Sequence, residues 1–549
     1  MRSKTRRAAR SRFRVAVLST ASVLQVQQAC SYQGIVRVTG FIGAQQRPLL
    51  RNHGAPRCFG NCANGKNHRQ LLMSTVPLQS TVGSFEVVDE ILPYAKETAI
   101  GQREDALFRL DDSVHFWKDF ESGGNDGNLK QMIQIIQDYL LSPSSSTTLS
   151  RAYWGSHLLR SGYFTANALL GSLASDLHEQ YITRGGSGSG ATSGGDVLGR
   201  NTSSVSAVSP VLAASQDGSM VSRLVQSDIP SRLLLETLKT YEQDYLAIEK
   251  GVLKYPWDAL VQYDRKGADI EVQLRHRQFN PFFALSETQK TIAESVAIFS
   301  RRNKGERQGV AWQAPQSLLY PDYYMNDFHY QTDGWLSTLS ARRYEVSTET
   351  LFLGRQDAMQ RQTLLPLMKQ QNPPQTVLEV ACGTGRFATF FRDNLPEADV
   401  TLSDLSPYYL EKARENDSYW RRFTKRDTIG TKPATCVQAN AEQLPFPDNS
   451  FDAVVSIYLF HELPENARNR AAAEMVRVCK PGGTIVLTDS MQYGDRPKFQ
   501  NIANFAKLNE PHYGNYVEHA YLPDLFAGTE CGEKYMVSST KTVSFIKKR

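Results

Sequence analysis

Apolar positions change their period along this chain. In its first half they recur at three- and four-residue spacing: Leu129, Met132, Ile133, Ile136, Tyr139 and Leu140, then Leu234, Leu238, Tyr241, Tyr245 and Ile248. A third set, Ile292, Val296 and Phe299, is preceded by Ser286 and Gln289 in capping-box register. Such spacing predicts amphipathic helices, and residues 86–310 read as a mainly α-helical accessory domain. The Gly/Ser-rich run 184–219, which opens with RGGSGSGATSGGD, reads as a disordered insertion through it. The aromatic stretch from Tyr320 to Glu345 has no clean period. Residues 311–362 accordingly read as an aromatic connector with a short helix near its end.

From Thr363 the texture becomes alternating strand and helix. Apolar, β-branched runs appear at TVLEVA, DVTLSD, ATCVQA, DAVVSIY and GTIVLTDS. Helical segments lie between them, including PENARNRAAAEMVRVC, which has Pro464 at its entry and stops at KPGG. That alternation predicts a parallel sheet covered by helices on both faces. The last two runs, KYMVSST and KTVSFIKK, are too close together for a parallel crossover and must form an antiparallel hairpin. The fold class is therefore α/β over residues 363–549: a Rossmann-like sheet of five parallel strands plus a C-terminal antiparallel hairpin, preceded by the helical domain.

Charge alters the picture at one end only. The chain of 549 residues carries +6, but no Asp or Glu precedes Glu86, whereas thirteen Lys or Arg do. Removing those thirteen cations leaves −7, and a mildly acidic remainder gives no reason to expect nucleic acid. An acid-free segment containing Arg, Ser and Ala has the composition of a targeting presequence, here residues 1–85. A secretory n-region and h-region, a nuclear signal or a plain tail would share parts of this composition. The plastid (chloroplast) is the expected destination, with the mitochondrion as the alternative. No apolar run reaches the roughly 18–20 residues that span a bilayer, so any membrane contact is peripheral. Seven cysteines without a matched second pair suggest neither a disulfide framework nor a zinc site. No metal is expected.

The stretch LEVACGTGRFA, Leu378 to Ala388, carries the chemistry. Its G-x-G-x-x-A turn between a strand and a helix suits a dinucleotide or S-adenosylmethionine. Gly383 and Gly385 let the backbone approach a ligand. Glu379, at the end of the first strand, suits a cationic ligand and would repel a pyrophosphate. Asp404 closes the second strand nineteen residues past Gly385, where a carboxylate can accept from both ribose hydroxyls. The rival role is helix N-cap, which Asp404 or Ser406 could fill.

Four motifs in order, VLEVACGTGRFA, LSDLSPYYLEKAREN, ANAEQLPFPDNSFDAVVSIYLFHEL and MVRVCKPGGTIVLTDS, give a resemblance to a known family. Roughly from residue 350 to 549 the chain resembles class I S-adenosylmethionine-dependent methyltransferases of the UbiE-like, quinone-biosynthesis group. The resemblance implies S-adenosylmethionine as methyl donor and S-adenosylhomocysteine as product. It implies donor contacts from Glu379, Gly383, Gly385, Asp404 and Leu405, with Asn440 and Ala441 at the adenine, Tyr458 at its border and Tyr344 on a covering helix. Many relatives carry Asp where this chain has Asn440, which keeps an acceptor and loses a charge.

Catalytic candidates are His461 in YLFHEL and His512 and Tyr513 in the segment before the hairpin, where Glu510 and Tyr516 are further polar groups. A general base matters only for a weakly acidic acceptor atom. The expected acceptor is a small, apolar or aromatic molecule, such as a prenylquinone or another plastid metabolite. The alternative is a catalytically weak, methyltransferase-like module that acts in assembly or regulation. The sequence does not fix the oligomeric state.

Overall fold

The structure, a computed structural model, describes residues 99–120, 125–141, 148–185, 229–263, 270–272, 276–277, 280–304, 320–325, 333–496 and 510–549. The expected presequence 1–85, nearly all of the insertion 184–219 and residues 311–319 of the connector lie outside them. The strands are β1 (Arg109–Leu110), β2 (Val261–Tyr263), β3 (Ile270–Val272), β4 (Thr376–Val380), β5 (Asp399–Asp404), β6 (Thr435–Gln438), β7 (Phe451–Ile457), β8 (Cys479–Ser490), β9 (Thr529–Val537) and β10 (Thr540–Lys547). Eight of them form one sheet in the order β1-β9-β10-β8-β7-β4-β5-β6.

The five expected parallel strands are β4 to β8, paired β6-β5-β4-β7-β8. The terminal hairpin is also as expected, with β10 antiparallel to both β8 and β9. Strand order reverses at β4, between β5 and β7, and open α/β sheets place ligands at that reversal. Two features go beyond the sequence reading. Strand β1, only two residues long, pairs in parallel with β9 through Arg109 and Glu533, and β2 and β3 form a small antiparallel pair of their own.

Period-two alternation divides the strand side chains between two cores. On one face Leu378, Val380, Val454, Ile485 and Val543 pack with Ala472, Met475, Phe460, Tyr516 and Phe526. On the other, Val377, Leu402, Val455 and Val486 pack with Tyr153, Trp154, Leu235, Leu238 and Tyr241. The last five come from the long helix Thr148–Gly185 and from the helix Ile229–Glu249. The helical segment thus shares its core with the sheet, and residues 89–549 form one compact unit. A helix with one apolar stripe must bury it somewhere, and this stripe is buried against the sheet.

Two local expectations shift by a few residues. The buried face of the helix Ile229–Glu249 begins at Leu235, 1% exposed, whereas Leu234 is 47% exposed. The helix Pro281–Lys304 is capped by Asn280, whose Oδ1 accepts the Phe282 amide at 2.9 Å, with Pro281 at the first helical position. Ser286 therefore lies inside the helix and not at its cap.

A buried ion pair reinforces the junction. Arg361 donates to Asp244 at 3.0 and 2.5 Å, and Tyr153 donates to the same carboxylate at 2.5 Å. Arg361→Met leaves Asp244 buried without its cation. It should destabilise the protein by about 3–5 kcal/mol, read as a fall in the midpoint of guanidinium unfolding.

Candidate active site

After β4 the chain turns sharply. Ala381, Gly383 and Gly385 all have positive φ, at 57°, 55° and 65°. The Cys382 amide donates to the Ser403 carbonyl at 2.9 Å, and the Gly385 amide to the Cys382 carbonyl at 2.9 Å. Gly385 then caps the helix Arg386–Asn394. A Cβ on Gly385 would lie 2.8 Å from Cβ of Ala413, so that glycine allows the loop to press on the helix Pro407–Phe423. A Cβ on Gly383 would meet nothing within 4 Å, because that residue faces open space.

Asp404, at the end of β5, binds the loop directly. Its Oδ2 accepts the Gly383 amide at 2.9 Å and its Oδ1 the Ser406 amide at 2.8 Å. The N-cap of the following helix is Ser406, whose Oγ accepts the Tyr409 amide at 3.2 Å. Burial raises the Asp404 carboxyl to about 6. Burial, and then the neighbouring charge of Asp404, raises Glu379 to about 8.

Two cavities meet at this turn. The smaller, about 110 Å³, is walled by Asp404, Leu405, Asn440 and Ala441 together with Tyr324 and Trp335. The larger, about 660 Å³, includes Glu379, Cys382 and Thr384 and extends to Leu159, Phe164 and Phe283 of the helical segment. Tyr344, Ala381, Gly383, Ile457 and Tyr458 border both. Tyr458 also has positive φ, 55°, so a non-glycine residue is held in a costly conformation on each of the adjacent strand ends β4 and β7. The Tyr458 hydroxyl bonds that of Thr540 at 2.7 Å, and Asn440 Oδ1 accepts the Glu442 amide at 2.9 Å.

The aromatic connector supplies part of the wall. Tyr324 stacks on Tyr320 at 5.7 Å and meets Trp335 at 5.0 Å, and this cluster packs against Leu405. Tyr324 and Trp335 are wall residues that the sequence reading did not single out. An aromatic run without a period is the only signal they leave.

An ionic lattice sets the position of the loop helix. Arg386, its first residue, pairs with Asp258 and, at 2.7 Å, with Asp357. Arg160, on the long helix, pairs with Asp357 at 2.8 Å and with Glu349 at 2.7 Å.

His461, His512 and Tyr513 lie outside the lining of both cavities. The rings of His461 and Tyr513 are 5.6 Å apart, and the Tyr513 hydroxyl bonds Ser490 Oγ at 2.5 Å. His461 Nδ1 is 2.5 Å from Asp489 Oδ1, and its Nε2 is 3.2 Å from Glu510 Oε2 and 3.6 Å from Glu462 Oε1. Burial opposes its charge, but Asp489 and Glu510 hold the imidazole well above its ordinary range. Partial burial lowers His512. Neither His461, His512 nor Tyr513 lines either cavity, whereas Glu462 lines the smaller one.

A family model described as a methyltransferase domain matches residues 377–483. A demethylmenaquinone methyltransferase of Deinococcus radiodurans is 30% identical over 191 residues, which cover 34% of this chain and 73% of that protein. The chain belongs to the UbiE-like class I methyltransferases. A demethylmenaquinone methyltransferase of Thermus thermophilus is 29% identical over 194 residues, 34% of this chain and 80% of that one. The ubiquinone/menaquinone biosynthesis C-methyltransferase UbiE of Francisella philomiragia is 31% identical over 150 residues, 27% and 55% respectively.

The enzyme's methyl donor is S-adenosylmethionine, whose sulfonium is already an activated leaving group. The site fits it: an open glycine face, an aromatic-walled chamber and two buried carboxyls that a cation would return to their ionised form. Among the described residues no helix is long and apolar enough to cross a membrane.

Glu379 also ties stability to pH. Its folded value, about 8, exceeds the unfolded 4.5, so the folded state holds the extra proton between them. Stability of the ligand-free enzyme should therefore fall as pH rises from about 5 to 8, by a few kcal/mol at most. Glu379→Gln should flatten that slope in urea unfolding measured across the range.

Proposed function

We propose that this enzyme methylates a small, apolar or aromatic acceptor, a prenylquinone precursor or another plastid metabolite. The observation that carries the reading is the larger cavity. It continues from the glycine turn past the space a donor needs, and Leu159, Phe164, Phe283 and Val346 give it apolar walls. The Deinococcus and Thermus relatives, both demethylmenaquinone methyltransferases, support a quinone-type acceptor.

In this reading Glu379 receives the donor's ammonium, and the Gly383 and Gly385 turn lets the backbone approach its methionine part. Asp404 accepts from the ribose hydroxyls. Leu405, Asn440 and Ala441 surround the adenine beneath Tyr324 and Trp335. Tyr344 and Tyr458, on the walls common to both cavities, align the reacting centre. In-line alignment and exclusion of water supply much of the acceleration of such a transfer. His461, His512 and Tyr513 stand behind the chamber wall, and Glu462, which lines the smaller cavity, is the group through which that cluster reaches the ligands. The acid-free, Arg-rich N-terminus supports a plastid destination, and a fluorescent fusion of residues 1–85 that stays outside plastids would remove that part.

Calorimetric titration of the full chain tests the donor site. S-adenosylmethionine and S-adenosylhomocysteine should bind and NAD should not, with Asp404→Ala weakening both sulfur ligands about 10- to 100-fold. At pH 7 binding of the cationic donor should release close to one proton, and affinity should climb as pH approaches 8. Glu379→Gln should abolish that proton release. A panel of demethylated prenyl hydroquinones with radiolabelled donor tests the acceptor. If the donor binds and no member of the panel gains label, the acceptor class is wrong.

A further inference from the structure

We propose that His461, Glu462 and Glu510 form a binding site for one divalent metal ion beside the donor chamber, with Asp489 orienting the imidazole. His461 and Glu462 lie in the single turn Phe460–Glu462 that follows β7. Asp489 is near the end of β8, and Glu510 precedes the helix Tyr513–His519. All four side chains are buried. No metal is expected from the sequence, because the cysteines lack a matched spacing and Glu510 stands far along the chain from His461 and Glu462.

The fold brings one imidazole nitrogen and two carboxylates together. Asp489 is held through both oxygens: Oδ2 accepts the Phe460 amide at 2.8 Å, and Oδ1 lies 2.5 Å from His461 Nδ1. That contact commits Nδ1 and turns Nε2 toward the two glutamates. A carboxylate behind a histidine in this way is the usual outer support of a metal-binding imidazole.

The spacings agree. Nε2 is 3.2 Å from Glu510 Oε2 and 3.6 Å from Glu462 Oε1, and the three donor atoms lie within 4.8 Å of one another. With metal–ligand bonds of ~2.0–2.2 Å, neighbouring donors stand about 3.0 Å apart at octahedral angles and about 3.5 Å apart at tetrahedral ones. One imidazole with two carboxylates suits Mn²⁺, Fe²⁺ or Zn²⁺.

The ion's role rests on the acceptor reading above. Glu462 lines the smaller cavity, which shares Tyr344 and Tyr458 with the larger, acceptor-side one, so the ion acts on an acceptor group that reaches across that shared wall. An acceptor hydroxyl that ligates the ion loses its proton more readily. The O–H electron pair stays on the oxygen and the proton passes to solvent.

The test uses the full-length protein, stripped with chelator and titrated with MnCl₂ while electron paramagnetic resonance follows free Mn²⁺. One Mn²⁺ per chain should bind and be displaced by Zn²⁺. Glu510→Gln and His461→Gln should each weaken binding about 100-fold, and Asp489→Asn about 10-fold. Titration of the same samples with S-adenosylmethionine reports folding, and Glu510→Gln should keep the wild-type donor affinity. Wild-type binding that is absent, or unchanged in a folded Glu510→Gln, would overturn the site and leave a protonated imidazole caged by carboxylates. The acceptor panel is read separately. Label transfer by the metal-free enzyme would remove the ion's role while sparing the function. Tight, variant-sensitive Mn²⁺ binding without transfer to any acceptor would keep the site and sink the acceptor reading.

Discussion

The lattice of Arg160 and Arg386 with Asp258, Glu349 and Asp357 is the contact on which the donor site depends. Arg386 begins the helix that the glycine turn enters, so whatever fixes its guanidinium fixes the turn. Its partners lie outside the motif-bearing strands, and Asp357 is common to both arginines. Buried pairs of this kind add little net stability, but loss of one partner strands a charge. Their value here is geometric. The helical segment and the glycine turn are set in one arrangement, and the larger cavity is the space left between them.

A second constraint is electrostatic. Glu379 and Asp404 sit at the ends of paired strands, and burial holds both toward their neutral forms. A core built for stability alone would put apolar groups there. Ala381 and Tyr458 add backbone strain on the neighbouring strand ends. The cost is therefore concentrated around one chamber, where a cationic ligand can offset it.

Much of the architecture was legible because short-range pattern determines it. Apolar, β-branched runs marked β4 to β8, and the short gap between the last two runs forced a hairpin. Glycines with positive φ marked the turn, and Asp404 fell where a strand end places a carboxylate. What escaped depends on distant pairing. A two-residue strand such as β1 carries no period, and nothing local in Leu235, Leu238 or Tyr241 says that a sheet formed 140 residues later will cover them. Tyr324 and Trp335 reach the chamber through irregular chain. The meeting of His461 with Asp489 and Glu510 is likewise a product of the fold, since it joins two strand ends and a later segment.

The pairing of Arg109 with Glu533 spans 424 residues, and that has a consequence for biogenesis. At ~5–20 residues per second, the N-terminal helices leave the ribosome on the order of tens of seconds before the strands that cover them. During that interval those helices can pack only on one another, and the faces they turn to the sheet have no native partner. Folding of this chain is a post-synthetic event, governed by how long those faces can be kept from other chains.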